Sequence, residues 1–260
     1  MYCIDCGSKS YAAGSCSRRL YFRVSAGCGC HKCGTMVRCC MPKMQENQQA
    51  MASTTKIMTA LLTLEEAAKE NKIVTISEQV AAVEGSSMYL NAGDRLSLRD
   101  LAIGMLTVSG NDAAYGAAVA IGGSEEEFAK LMNARAKELG MEHTNFVTAS
   151  GLDADAHYST ALDMAKLGAA AIENEDFLAI CSKTQSTATF VNPPRTQSYS
   201  NHNKLLKLYQ GCIGIKTRTL PKKGREDVWF LQQSAYGVRL VRVTLNRAVT
   251  IGNDHIKLFD

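Results

Sequence analysis

Residues 51–65 read MASTTKIMTALLTLE. Ser53 and Lys56 stand three apart at the head of a run whose apolar positions are Ile57, Met58, Leu61, Leu62 and Leu64. That pattern predicts a helix over 53–69, amphipathic to buried. Residues i and i+3 share a helix face, so Ser53 Oγ and the Lys56 amine can meet. A neutral lysine can take a serine proton, and burial beside a second cation lowers a lysine pKa toward that state. Alone, Ser-x-x-Lys is a common chance pattern, a helix start with a solvated lysine. Its meaning depends on its company.

Two further short pieces supply that company. Ser109-Gly110-Asn111 lies between a predicted helix over 98–106 and an Ala-rich one over 111–121. Lys216-Thr217 closes a predicted strand over 213–217. Singly, the first is by default a turn and the second an exposed strand edge. Together with Ser53 and Lys56 they fit one mechanism. Lys216 is the second cation. Ser109 can pass a proton between Lys56 and a leaving amine. Asn111 can orient a substrate amide, and Lys216 with Thr217 can hold a carboxylate. A tetrahedral oxyanion needs two aimed donors. The backbone N–H of Ser53 is one, and an N–H just past Thr217, that of Thr219, is the other.

Outward from these motifs, Ser124 with Glu127 forms a capping box for a helix running to Leu139, where Gly140 stops it. The Glu125-Glu126-Glu127 run reads as a solvated helix start. Ser159 or Thr160 opens a further helix through Ile172. Pro193 and Pro194 mark a turn, and 238–245 reads as a strand. A helical block between sheet elements predicts an α/β (α+β) sandwich. His143, His157, His202 and His255 have no metal-ligand spacing. The chain has 260 residues, 46% hydrophobic and 21% charged, ordinary for a globular protein. A net charge of +4 without a long basic block gives no argument for nucleic acid. No apolar run reaches the roughly 18 residues of a membrane span.

The trio Ser-x-x-Lys, Ser-x-Asn and Lys-Thr-Gly marks the penicillin-binding and serine β-lactamase superfamily, and this chain carries it as far as Lys216-Thr217. With TVSGNDAA, FVTASGLDADAHYSTALDMAKL, NHNKLL, GCIGIKT and NDHIKLFD, the text closely resembles the D-alanyl-D-alanine carboxypeptidases, the low-molecular-weight penicillin-binding proteins. The resemblance runs almost unbroken from Met51 to Thr217. It implies a five-stranded antiparallel sheet flanked by helices, with an all-helical part between the first and third motifs. It implies removal of the terminal D-Ala of peptidoglycan stem peptides through an acyl-serine, acylation by β-lactams, an extracytoplasmic location and no cofactor or metal. It implies Ser53 as nucleophile, Lys56 as base, Ser109 as relay, Asn111 for the substrate amide, and Lys216, Thr217 and the Thr219 N–H for binding. Members often carry a second β-rich domain and a C-terminal amphipathic anchor. Residues 51–260 are read as the catalytic domain, stopping near its end.

The chain departs from the family in three windows, about 1–50, 218–235 and 247–252. The expected first hairpin, the glycine after Lys-Thr and the following strand are missing as text, and Arg218 stands at the glycine. Read from the third base of each codon, residues 219–234 permit FTKK and AGRCLVSAAER, close to the family strand. Off-frame reading of 21–34 and 36–47 permits ISASAQAAVVINAE and GAVLYAKNAGEP, close to the family hairpin. Loss of the first base turns a cysteine codon into the start of an Ala or Val codon. An Ala/Val-rich segment read off frame is therefore Cys-rich, and eight of the ten cysteines lie in the first 40 residues. Out-of-frame translation of these windows is the reading adopted, with the first hairpin missing or scrambled.

Two readings compete with an intact enzyme. Cys3-x-x-Cys6 and Cys30-x-x-Cys33 match the knuckles of a four-cysteine zinc ribbon fused to the catalytic domain. Alternatively, the chain is a non-catalytic penicillin-binding remnant, because loss of the first hairpin exposes sheet edge. On that ground the chain as written is expected to fold poorly and hydrolyse little.

Overall fold

The computed structural model describes residues 22–25, 36–39, 48–152, 154–208, 211–220, 225–233 and 239–248. Their strands are β1 (Phe22–Ser25), β2 (Met36–Cys39), β3 (Ile73–Thr75), β4 (Arg95–Ser97), β5 (Gln185–Asn192), β6 (Pro194–Ser200), β7 (Cys212–Leu220), β8 (Arg225–Gln233) and β9 (Arg239–Ala248). Their helices are α1 (Lys56–Lys69), α2 (Glu78–Ala81), α3 (Leu98–Thr107), α4 (Asn111–Gly122), α5 (Glu125–Glu138), α6 (Ala161–Glu173), α7 (Glu175–Cys181) and α8 (Leu205–Leu208).

Two antiparallel layers frame the helices. β7, β8 and β9 form one sheet, and β1 lies against β9 as half of the β1–β2 hairpin. α6 covers β1, β2 and β9, while α7 covers β7. α1 runs through the middle, packed on α3, α4, α6 and α7. Ile57, Met58, Leu61 and Leu64 of α1 are buried with Leu101, Met105, Ala113 and Ala117 from α3 and α4. Removing these side chains from water is the main source of the block's cohesion, about 1.5–3 kcal/mol for each large one.

The capping chemistry sets the helix starts. Ser97, Ser124 and Thr160 each accept the backbone N–H three residues on, satisfying a donor that the first turn leaves unpaired. Gly123 ends α4 with φ +82, a left-handed conformation that favours glycine.

Two expectations are corrected. The first hairpin is present: β1 and β2 pair antiparallel from Phe22↔Cys39 to Ser25↔Met36. The ladder is made by backbone groups, and FRVS and MVRC supply enough β-formers to support it. The strand after Lys-Thr is also present. β8 pairs with both neighbours, and Val228, Trp229, Phe230 and Leu231 are strong strand formers. Between the first and third motifs lie the helices α2 to α7 and, beside them, the four-stranded antiparallel sheet β3–β4–β5–β6. Along β5, Ser186, Ala188 and Phe190 are buried in strict alternation. Ser186 and Ala188 are small and weakly apolar, so the buried face does not stand out in the text. The eight N-terminal cysteines lie outside the described residues, apart from the Cys39 backbone in β2, so the zinc-ribbon positions do too.

Candidate active site

Ser53 sits one turn earlier than a simple α-helix reading places it. Residues Ala52–Thr55 form a 3₁₀ turn, and α1 begins at Lys56. In a 3₁₀ turn, side chains at i and i+3 eclipse. That brings the Lys56 Nζ within 3.3 Å of the Ser53 Oγ, to which it donates. Lys56 is fully buried and donates a second, shorter bond of 2.7 Å to the Ser150 carbonyl. Ser53 itself is partly exposed, so the pair combines a reachable hydroxyl with a desolvated amine.

The segment 147–157 is stitched to this turn. Thr59 Oγ1 donates to the Ala149 carbonyl at 2.6 Å, next to the carbonyl that holds Lys56. The Val147 N–H donates to His157 Nδ1 at 3.0 Å. His157 Nδ1 is therefore an acceptor, and its Nε2–H donates to Thr55 Oγ1 at 2.8 Å. Gly151, at φ +79, presses on the Ala52 carbonyl so closely that a Cβ there would collide with backbone. The carboxylate of Glu125 accepts the Ala149 N–H at 2.9 Å. The sequence placed Glu125 in a solvated helix start. Instead it is half-buried, and desolvation raises its pKa, opposed by the Ala149 hydrogen bond. Neither His157 nor Glu125 was legible as part of the site, since each reaches it through a loop distant in sequence.

Ser109 and Asn111 flank the start of α4. Ser109 has φ +62, a left-handed conformation rare outside glycine, and its buried Oγ has no hydrogen-bond partner among the described residues. Ser109 is thus not bonded to Lys56 or Ser53. The Asn111 amide Nδ2 donates to the Glu84 carbonyl at 2.6 Å, which leaves Oδ1 as the end that can accept a substrate N–H.

The opposite wall is β7, which packs against the 52–55 turn. Lys216 is 2% exposed, and burial lowers its pKa to about 8. His202, whose backbone N–H is tied to the Thr107 carbonyl at 3.0 Å, has its pKa lowered by burial and then by the Lys216 charge. The side chains of Thr217, Arg218 and Thr219 lie outside the described residues. Their backbones run in β7 opposite Val228, Asp227 and Glu226. Among the described strands β7 is an edge, so alternate N–H groups face away from β8. No group of His, Cys, Asp or Glu among the described residues could hold a metal ion.

A serine paired to a buried lysine, an unpartnered second serine and a buried strand lysine form one arrangement. The family model described as D-alanyl-D-alanine carboxypeptidase matches residues 38–248. The chain belongs to the D-alanyl-D-alanine carboxypeptidase family. It is 39% identical over 185 residues to DacF of Bacillus subtilis, covering 67% of this chain and 46% of that protein. It is 38% identical over 208 residues to DacC of Escherichia coli, covering 75% of this chain and 50% of that one. The chain thus spans about half the length of these carboxypeptidases. A solved mutant of the Streptomyces K15 DD-transpeptidase superposes with a TM-score of 0.79 at 26% identity, covering 95% of this chain and 98% of that one. DacD of Francisella tularensis gives 0.77 at 25% identity, covering 97% and 72%.

Proposed function

We propose that this carboxypeptidase-family chain is a serine-type D-Ala-D-Ala carboxypeptidase with Ser53 as its nucleophile. The observation that carries this is the Ser53–Lys56 hydrogen bond, with Lys56 fully buried. Neutral Lys56 takes the Ser53 proton as Oγ attacks the carbonyl carbon of the penultimate D-Ala. The N–H groups of Ser53 and Thr219 receive the oxyanion. When the C–N bond breaks, the proton returns from Lys56 through Ser109 to the amine of the departing D-Ala. Water then cleaves the acyl ester, with Lys56 again taking a proton. Asn111 Oδ1 accepts a substrate amide N–H, and Lys216 with Thr217 holds the terminal carboxylate.

Peptidoglycan stem peptides ending in D-Ala-D-Ala are the proposed substrates, and β-lactams the acylating inhibitors. An extracytoplasmic location follows from that substrate. No helix among the described residues is long and apolar enough to cross a membrane. The test is a fluorescent penicillin with the purified chain, alongside D-Ala release from a diacetylated Lys-D-Ala-D-Ala peptide. Stoichiometric labelling and D-Ala release, both abolished in Ser53→Ala, are expected. An unlabelled chain, or equal labelling of Ser53→Ala, overturns the proposal.

A further inference from the structure

Among the described residues the mechanism leaves the buried carboxylates of Asp94, Asp112 and Asp163 unused, and one of them adjoins the site. Asp112 follows Asn111, is 1% exposed, and sits in the first turn of α4. Its carboxylate accepts four hydrogen bonds: Ser87 Oγ at 2.6 Å, Met88 N–H at 3.0 Å, Leu90 N–H at 3.1 Å and Ala113 N–H at 2.8 Å. Three of the four come from one segment more than twenty residues earlier. A carboxylate removed from water needs such donors, and the helix N-terminus adds to their effect.

That same segment holds Asn111. The Glu84 carbonyl takes the Asn111 Nδ2 and the Ser86 carbonyl takes the Asn111 N–H at 2.6 Å. Tyr199 Oη donates to the Met88 carbonyl at 2.9 Å, anchoring the segment to β6. The Ser109–Asn111 turn is also shaped around the carboxylate. A Cβ on Gly110 would lie 2.7 Å from Asp112 Oδ1 and 3.1 Å from the Met88 N. Only a residue without a side chain leaves room for that hydrogen bond beneath the turn. The segment 84–90 and the turn 109–111 therefore meet on one carboxylate.

We propose that Asp112 is a positioning residue for acylation. By clipping residues 87–90 to the start of α4, it sets where the Glu84 carbonyl stands, hence which end of the Asn111 amide is offered to substrate. It also supports the left-handed Ser109 from below. The inference rests on the acyl-serine reading for its kinetic consequence, and on geometry alone for the clip.

The experiment has a kinetic and a structural arm, each run on Asp112→Ala and Asp112→Asn. Asn keeps the shape but places an N–H against a donor. The kinetic arm measures the acylation rate of folded protein by fluorescent penicillin, and kcat and KM on the tripeptide. Met132→Ala, an equally buried change on α5, is the stability-matched control. Acylation is expected to fall about 100-fold in Asp112→Ala and less in Asp112→Asn, with kcat carrying most of the loss, while Met132→Ala stays within about 3-fold. The structural arm reads hydrogen exchange at the Met88 and Leu90 amides and the Asn111 side-chain signals. Exchange at 88 and 90 should quicken at least about 100-fold while α1 stays protected. Unchanged exchange overturns the clip, and acylation slowed no more than in Met132→Ala overturns the positioning role. If the unsubstituted chain does not acylate but the exchange arm behaves as expected, the carboxypeptidase reading has failed and the clip stands.

Discussion

Replacing Gly151 with alanine tests how tightly the nucleophile turn is held. Gly151 has φ +79, where a residue with a Cβ costs about 1–2 kcal/mol. The new methyl would also drive into the Ala52 carbonyl and lie 2.7 Å from Thr55 Oγ1. Ala52 cannot yield freely, because it is itself at φ +39 and its peptide leads into Ser53. Overpacking against backbone adds about 1–3 kcal/mol. A total of about 3 kcal/mol lowers Tm by roughly 6–12 °C in a chain of this size. Whatever relief the structure finds must move Ala52, so Ser53 shifts relative to the carbonyl that holds Lys56. A misplacement near 1 Å is worth roughly 100-fold in rate. Thermal melts and penicillin acylation, both on purified protein, give the two readouts. Gly151→Ala melting and acylating like the unsubstituted chain would refute the tight seating of the turn.

Lys216 is expected to impose an alkaline limb. Its proton is lost as pH rises through about 8, so kcat/KM for a carboxylate-ended peptide should fall above that pH, and Lys216→Arg should move the limb upward. Because its folded pKa lies below the unfolded 10.5, the native state binds fewer protons between those values, and this group adds stability as pH rises from about 8 to 10.5, readable in urea midpoints. Arg195→Ala removes a two-bond grip, at 2.8 and 2.7 Å, on the buried Asp94 carboxylate, and a cation over the Phe190 ring. A loss of about 3 kcal/mol is expected in urea denaturation, with acylation of the folded fraction intact. Burial raises the Asp94 pKa, but the Arg195 bonds bring it below the usual value, so this contribution fades in acid as pH falls through that lowered value. Sequencing the coding DNA over residues 219–234 should show bases that spell a β-strand in a shifted frame; bases that cannot do so end the frame reading.

The helical block was largely written in the text, and the reasons are local. Ser97, Ser124 and Thr160 cap the helices that they precede, and the apolar spacing of Ile57 to Leu64 points inward as its period requires. Ser53 and Lys56 were legible because their partnership is set within one turn. Asp112, Glu125 and His157 were not, because Asp112 and Glu125 act mainly on backbone N–H groups more than twenty residues away, and His157 reaches Thr55 across 102 residues. The sheets were harder for a related reason. β1, β2 and β8 need only backbone partners to form a ladder, whereas the family's side-chain text is absent there. In β5 the buried face opens on Ser186 and Ala188, too weakly apolar to show the period of two before Phe190.

The grip of α1 on 147–157 governs which changes of length the protein can absorb. Thr55 at its cap, with Lys56 and Thr59 in its first turn, meets His157, Ser150 and Ala149, so the start of one helix holds three points of a single segment. One residue added between Ala149 and Ser150 cannot satisfy both Thr59 and Lys56, and the carbonyl under Lys56 is lost. The hairpin tip at residues 191–194 is exposed on every residue and bears on no such gauge. Variation in chain length therefore belongs at that tip, and tags or grafted peptides placed there leave the spacing around the nucleophile untouched.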